Sequence, residues 1–144
     1  CGWRVVTLKH GAKQRAAFTR PGGESLREWI DTCPNADYAA LTYQGGSAWR
    51  ERLLADIGGK PGVTALLDGH DDERLADLMT NLGGHCPETL TEAFDGARDE
   101  RPTMFIAYTV KGYGLPLAGH KDNHAGLMSP AQIASLRDRL GIAE

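Results

Sequence analysis

The sequence predicts an α/β fold, helix-rich, with parallel strands flanked by helices. Residues 2–9 (GWRVVTLK) and 103–110 (TMFIAYTV) are apolar and β-branched, as buried strands are. The long stretch between them repeats apolar residues at helical spacing, punctuated by Gly and Pro. Strands separated by helical segments are the pattern of parallel sheets. Two strands make no independent sheet of useful size, so the remaining strands are expected elsewhere. A chain that starts at Cys1 without Met or lead-in reads the same way, as a piece of a longer polypeptide.

The first strand ends at His10-Gly11, and the basic, then Gly-rich stretch to Glu24 reads as a loop. Ser25 is the expected cap of a helix to Thr32 that puts Leu26, Trp29 and Ile30 on one face, and Pro34-Asn35 stops it. After the Gly45-Gly46 break, Ser47 is the expected cap of a helix carrying Trp49, Leu53, Leu54 and Ile57. Residues 63–67 form a short apolar helix. Asp71-Asp72 opens the next, with Leu75, Leu78, Met79 and Leu82 aligned and Gly83-Gly84 as its stop. Pro87 fits the first turn of a helix that turns Leu90, Ala93, Phe94 and Ala97 inward. Ser129-Pro130 is a cap and first-turn pair for a last helix, with Ile133, Leu136 and Leu140 inward.

Composition narrows the function classes. The 144 residues suit one domain with a real core. A net charge of −3 and the lack of a basic block argue against nucleic acid or an anionic membrane as partner. No apolar run approaches the roughly 20 residues that span a bilayer. Cys1, Cys33 and Cys86 are an odd number at wide spacing, which fits a reduced, cytoplasmic protein better than a disulfide framework. His85-Cys86 has no partner pair at metal-ligand spacing, so no structural metal is expected.

Chemistry concentrates in residues 101–126, RPTMFIAYTVKGYGLPLAGHKDNHAG. A strand that runs into a Gly-rich, basic, histidine-bearing loop is where open α/β sheets place ligands. Lys111 stands at the strand's carboxyl end, and Gly112 and Gly114 flank Tyr113. A Lys beside accessible backbone N–H groups can contact phosphate; a solvated Lys at a strand end fits the spacing too. His120 and His124 lie on a loop rather than an apolar helix face, so acid–base work near neutral pH and simple exposure both stay open. His85 can stand at a helix edge, with a structural role favoured. His70, beside Asp71-Asp72, reads as a turn residue.

The chain resembles the thiamine-diphosphate-dependent transketolase-like family, and within it the homodimeric decarboxylating component of the pyruvate (2-oxoacid) dehydrogenases. The matching pieces are Gly2-Trp3-Arg4-Val5-Val6, Leu82-Gly83-Gly84-His85-Cys86-Pro87, Arg101-Pro102-Thr103 on to Lys111-Gly112-Tyr113-Gly114, and the His124 loop with the helix ending Arg137-Asp138-Arg139-Leu140. The resemblance implies that residues 1–144 are the carboxyl-terminal half of the domain that binds the cofactor diphosphate. It implies Lys111, Gly112 and Tyr113 at the diphosphate and His124 as the catalytic residue facing substrate, with His120 and His85 as further candidates. It implies thiamine diphosphate and Mg2+ as cofactors, a 2-oxoacid such as pyruvate as substrate, a homodimer, and a lipoyl acyltransferase component as partner. The fragment alone is expected to be inactive.

Two features depart from the family. The Lys111–His124 spacing looks like that of transketolases, and Cys86 stands where the dehydrogenases carry Asp. The Gly-Asp-Gly…Asn metal signature is absent, since Leu67-Asp68-Gly69 and Phe94-Asp95-Gly96 both lack its first glycine, so the metal ligands are expected outside this chain. Transketolase-type ketol transfer and a non-catalytic binding domain are the alternatives.

Overall fold

A computed structural model describes residues 2–97 and 101–142; Cys1 lies outside them. The helix-rich α/β expectation holds. Strand β1 (Arg4–Leu8) pairs in parallel with β2 (Thr103–Ala107), Arg4 opposite Thr103 and Leu8 opposite Ala107. Among the described residues seven helices connect them: α1 (Ala12–Phe18), α2 (Gly23–Thr32), α3 (Asn35–Gln44), α4 (Gly46–Ile57), α5 (Val63–Asp68), α6 (Asp72–Thr80) and α7 (Pro87–Asp95). Helix α8 (Pro130–Arg139) follows a loop that contains a 3-10 turn over Lys121–His124.

The core is built by the helices, not by the strands. Leu26, Trp29 and Ile30 of α2 meet Trp49, Leu53 and Ile57 of α4, with Leu75, Leu78 and Met79 of α6 and Val63, Leu66 and Leu67 of α5. Trp49, fully buried, packs edge-on to Trp29 and Tyr38, with ring centroids 6.0 and 4.7 Å away. Several polar groups inside this cluster are bonded across helices. Trp29 Nε1 donates to Asp56 at 2.8 Å. Buried Gln14 donates to the Met79 carbonyl at 3.1 Å, which the Tyr38 hydroxyl also reaches. Burial pushes the Tyr38 phenol pKa well up, so it stays a donor. Arg50 joins α5 to α6 by donating to the Leu67 and His70 carbonyls and pairing with Asp72 at 2.7 Å.

Several elements differ from the sequence expectation, each for a local reason. The expected loop before Glu24 contains α1, whose buried positions are Gln14 and Ala17, too little apolar surface to show a period. Gly22 and Gly45, at φ +82° and +91°, precede α2 and α4, so Ser25 and Ser47 lie inside those helices and not at their caps. Helix α6 stops at Thr80. Leu82 leaves it to bridge His10, and Gly83–His85 form a 3-10 turn. Two capping expectations hold: Asp71 accepts from the Arg74 amide, and Ser129 with Gln132 forms a full capping box on α8.

The expected buried faces of β1, β2, α7 and α8 are open. Val5, Met104, Phe94 and Ile133 are each at least half exposed, and Leu140 is 61% exposed. Ile106 is exposed too, and Phe94 meets the Phe105 ring edge-on at 4.8 Å. Among the described residues no helix is long and apolar enough to cross a membrane.

Candidate functional site

Parallel pairing brings the carboxyl ends of β1 and β2 to one edge, and the turn of Gly83–His85 crosses that edge. The Gly83 amide donates to the Lys9 carbonyl after β1, the Gly84 amide donates to the Tyr108 carbonyl after β2, and the Val110 amide donates to His85 Nε2 at 2.7 Å. Both glycines are dictated by close approach. A Cβ on Gly83 would lie 2.4 Å from the Leu8 carbonyl oxygen, and one on Gly84 2.7 Å from that of Tyr108. The Leu82-Gly83-Gly84-His85 run is therefore the clasp that aligns the two strand ends.

A cavity of about 430 Å3 opens beside this clasp. Lys9 enters it from the end of β1, and Tyr108 and Lys111 from the end of β2. Cys33, Asn35, Tyr38 and Thr42 face it from the α2–α3 corner, and Gly119, His120 and Lys121 close it from the loop. The loop is seated by contacts at both ends. The Gly119 amide donates to the Lys111 carbonyl at 3.1 Å. Gly119, at φ +77°, sits so close to α3 that a Cβ would be 2.4 Å from the Ala39 carbonyl oxygen. His120 packs on Tyr43 of α3 at 4.4 Å.

The cavity's charge is one-sided: among the described residues its wall holds three lysines and no carboxylate. Lys9 is neutralised from outside by Asp31 at 2.8 Å and lies 5.6 Å over the Tyr108 ring. Burial raises the Asp31 carboxyl, yet the Lys9 hydrogen bond and the nearby His10 and Lys9 charges outweigh it and hold the pKa below the usual range. Lys121 pairs with its neighbour Asp122. The Lys111 ammonium has no ion pair or hydrogen bond with a described residue, which leaves it available to an anion.

The sequence-predicted residues separate here. Lys111 and His120 are in the cavity wall. Gly112 and Tyr113 form the turn beside it, and the Tyr113 amide donates to the Val110 carbonyl. His85 is not in the wall but holds the backbone on both sides of Lys111: it accepts from Val110, and its ring stacks on Tyr113 at 3.9 Å and 14°. His124 is exposed at the end of the 3-10 turn, outside the wall. His70 Nδ1 donates to the Leu66 carbonyl, 2.9 Å away, and closes α5. Cys86 takes a hydrogen bond from the Ala12 amide at 3.3 Å. Burial pushes that thiol up, but the Ala12 and Thr89 donors outweigh it and the net shift is down. Among the described residues no three His, Cys, Asp or Glu side chains could hold a metal together.

Sequence reasoning missed Lys9, Cys33, Asn35, Tyr38, Thr42 and Tyr108. One signal was available for Lys9: it directly follows β1, Lys111 comes four residues after β2, and parallel strands bring such positions to one edge.

His10 and His85 also make stability depend on pH. Burial lowers the pKa of both, and the opposing Asp31 charge only partly offsets this at His10. At His85 the Val110 amide needs the Nε2 lone pair, so protonating that nitrogen breaks the bond. Because the folded values lie below the ordinary 6.5, the folded state binds fewer protons than the unfolded chain just below that pH. This stability is fully present above about pH 6.5 and is lost as the pH falls through the folded values. The urea midpoint should therefore be lower at pH 5.5 than at pH 7.5, and His85→Gln should flatten the difference. Equal midpoints for the wild type would contradict this reading.

No protein-family model matches the chain. It is similar to the pyruvate dehydrogenase E1 component of Escherichia coli, 27% identical over 146 residues that cover 98% of this chain and 16% of that protein. The pyruvate dehydrogenase E1 component of Cupriavidus necator is 26% identical over 138 residues, covering 94% of this chain and 15% of that protein. A transketolase of Cereibacter sphaeroides is 45% identical over 109 residues, covering 60% of this chain and 17% of that protein. The chain thus spans about one-sixth of the length of the curated relatives it matches. The transketolase-like resemblance, with pyruvate dehydrogenase E1 similarity along nearly the whole chain, holds.

Proposed function

We propose that this chain is the carboxyl-terminal half of the diphosphate-binding domain of a thiamine-diphosphate-dependent 2-oxoacid dehydrogenase, its decarboxylating component. Pyruvate is the proposed substrate, and the acyl group passes to lipoamide on a partner acyltransferase. The similarity to pyruvate dehydrogenase E1 components supports the class. The observation that carries the residue assignments is the cavity wall, which among the described residues has three lysines and no carboxylate, at the carboxyl ends of two parallel strands. Such a wall fits a diphosphate and does not fit Mg2+, so the metal is assigned to residues outside this chain. The homodimer belongs to the same proposal.

In this reading Lys111 holds a diphosphate oxygen through its free ammonium. The Tyr113 amide is already committed to Val110, so the Gly112 and Gly114 amides are the backbone donors left in the turn. His85 orients this turn from behind, through Val110 and Tyr113. Thiamine diphosphate, when bound, supplies the nucleophilic carbon and electron sink. His124, on the exposed end of its turn, holds or moves a proton at the substrate once the loop closes over it.

Lys111→Ala should weaken thiamine-diphosphate binding in the full-length enzyme. A lost charge-assisted hydrogen bond is worth about 1.5–3 kcal/mol, or roughly ten- to a hundredfold in Kd by calorimetry. Unchanged affinity would remove Lys111 from the site. His124→Ala should slow acyl transfer with little effect on cofactor affinity; wild-type rates would mean that this histidine is the wrong one.

The 45% identity to a transketolase supports a second reading, ketol transfer between sugar phosphates. Turnover of pyruvate against a sugar phosphate by the full-length enzyme separates the two.

A further inference from the structure

We infer that His120 is a binding residue of the cavity: its Nε2–H donates to a phosphate or diphosphate oxygen held there, while Nδ1 anchors the loop. The inference rests on the reading of the cavity as an anion site and adds a directed donor to its lysines. The ring's two nitrogens have separable tasks. The Asp122 amide donates to Nδ1 at 3.1 Å, so Nδ1 carries a lone pair and the proton of the neutral ring is on Nε2. Tyr43, 4.4 Å away, backs the ring from α3. His120 lines the cavity together with the flanking Gly119 and Lys121. The seating of Gly119 against Ala39 fixes the backbone from which the ring projects. His124, four residues on, has no such support and is exposed.

An imidazole N–H held in one tautomer gives an anion a directed hydrogen bond that a flexible ammonium does not. Lys111 supplies charge, and His120 supplies direction.

The two tasks can be tested apart. Asn at position 120 keeps an acceptor at the reach of Nδ1, and Gln keeps a donor at the reach of Nε2. Inorganic diphosphate serves as the probe on the intact protein, with long-range nitrogen–proton NMR of the imidazoles and calorimetry as readouts. The wild-type ring should be the Nε2–H tautomer, and its Nε2 signal should move on adding diphosphate. His120→Asn should weaken diphosphate about tenfold, whereas His120→Gln should stay within about threefold of wild type. Lys111→Ala should weaken binding and leave the tautomer unchanged. An Nδ1–H tautomer, or wild-type affinity in His120→Asn while Lys111→Ala binds weakly, overturns the role of His120 and leaves the anion site standing. No diphosphate binding by the wild type, or none lost in Lys111→Ala, overturns the anion site and this inference with it.

Discussion

Trp49→Ala should cost about 3–5 kcal/mol of stability, the range for removing a large aromatic side chain from a packed core. Trp49 has no solvent exposure and joins three parts of the helical cluster: Trp29 on α2, Tyr38 on α3, and its own helix α4. Single domains have only about 5–15 kcal/mol in total, so one substitution removes a large share of it. Trp49→Phe should cost clearly less. It keeps most of the apolar volume, and the indole Nε1 it removes is buried without a hydrogen-bond partner in the described structure. Urea denaturation of both variants checks this. A loss below about 1.5 kcal/mol for the Ala variant, under the large-to-small range, would mean that the cluster relaxes around the gap. The effect reaches the candidate site through Tyr38, which packs on Trp49 with its ring and lines the cavity as well. Probe binding should therefore weaken in any fraction of Trp49→Ala that still folds.

The helical cluster was legible because its signal is local. Leu26, Trp29 and Ile30, and likewise Leu75, Leu78 and Met79, recur at the spacing of one helix face, and Asp71 and Ser129 carry cap chemistry in their own side chains. Helix α1 was not legible: its seven residues bury one Ala and one Gln, which form no apolar stripe. The starts of α2 and α4 were misread because glycines at positive φ stand at their N-caps, with no side-chain cap hydrogen bond. Periodicity also reports that a face is apolar without reporting what covers it. Phe94, Met104 and Ile133 fit their patterns and are still at least half exposed. The site divides the same way. Lys111 and His120 were found from the strand-to-loop sequence around them. Tyr38 and Thr42 reach the same cavity only because α3 is carried there by the core, and nothing adjacent to them in the sequence marks that destination.

Gly83→Ala should be a strongly damaging small substitution outside the core. The added methyl would lie 2.4 Å from the Leu8 carbonyl oxygen and 2.6 Å from its carbon, both main-chain atoms of β1 that no side-chain rotation can move away. Relief requires the 83–85 turn to lift off the strand ends, which gives up the Gly83-to-Lys9 and Gly84-to-Tyr108 hydrogen bonds. Overpacking alone costs about 1–3 kcal/mol, and each lost backbone bond adds about 1 kcal/mol, so a total near 3 kcal/mol or more is expected. Gly59→Ala is the matched control. No atom lies within 4 Å of a Cβ there, so that variant should stay within about 0.5 kcal/mol of wild type. The two variants make the same chemical change, and their difference isolates close approach from the general cost of replacing glycine. Lifting the turn also withdraws His85 from Val110 and Tyr113, the two residues that hold the backbone around Lys111. Gly83→Ala should therefore lose diphosphate affinity as well as stability, although residue 83 is not in the cavity wall. If the urea midpoint falls while diphosphate affinity is retained, the clasp supports the strands but does not position Lys111.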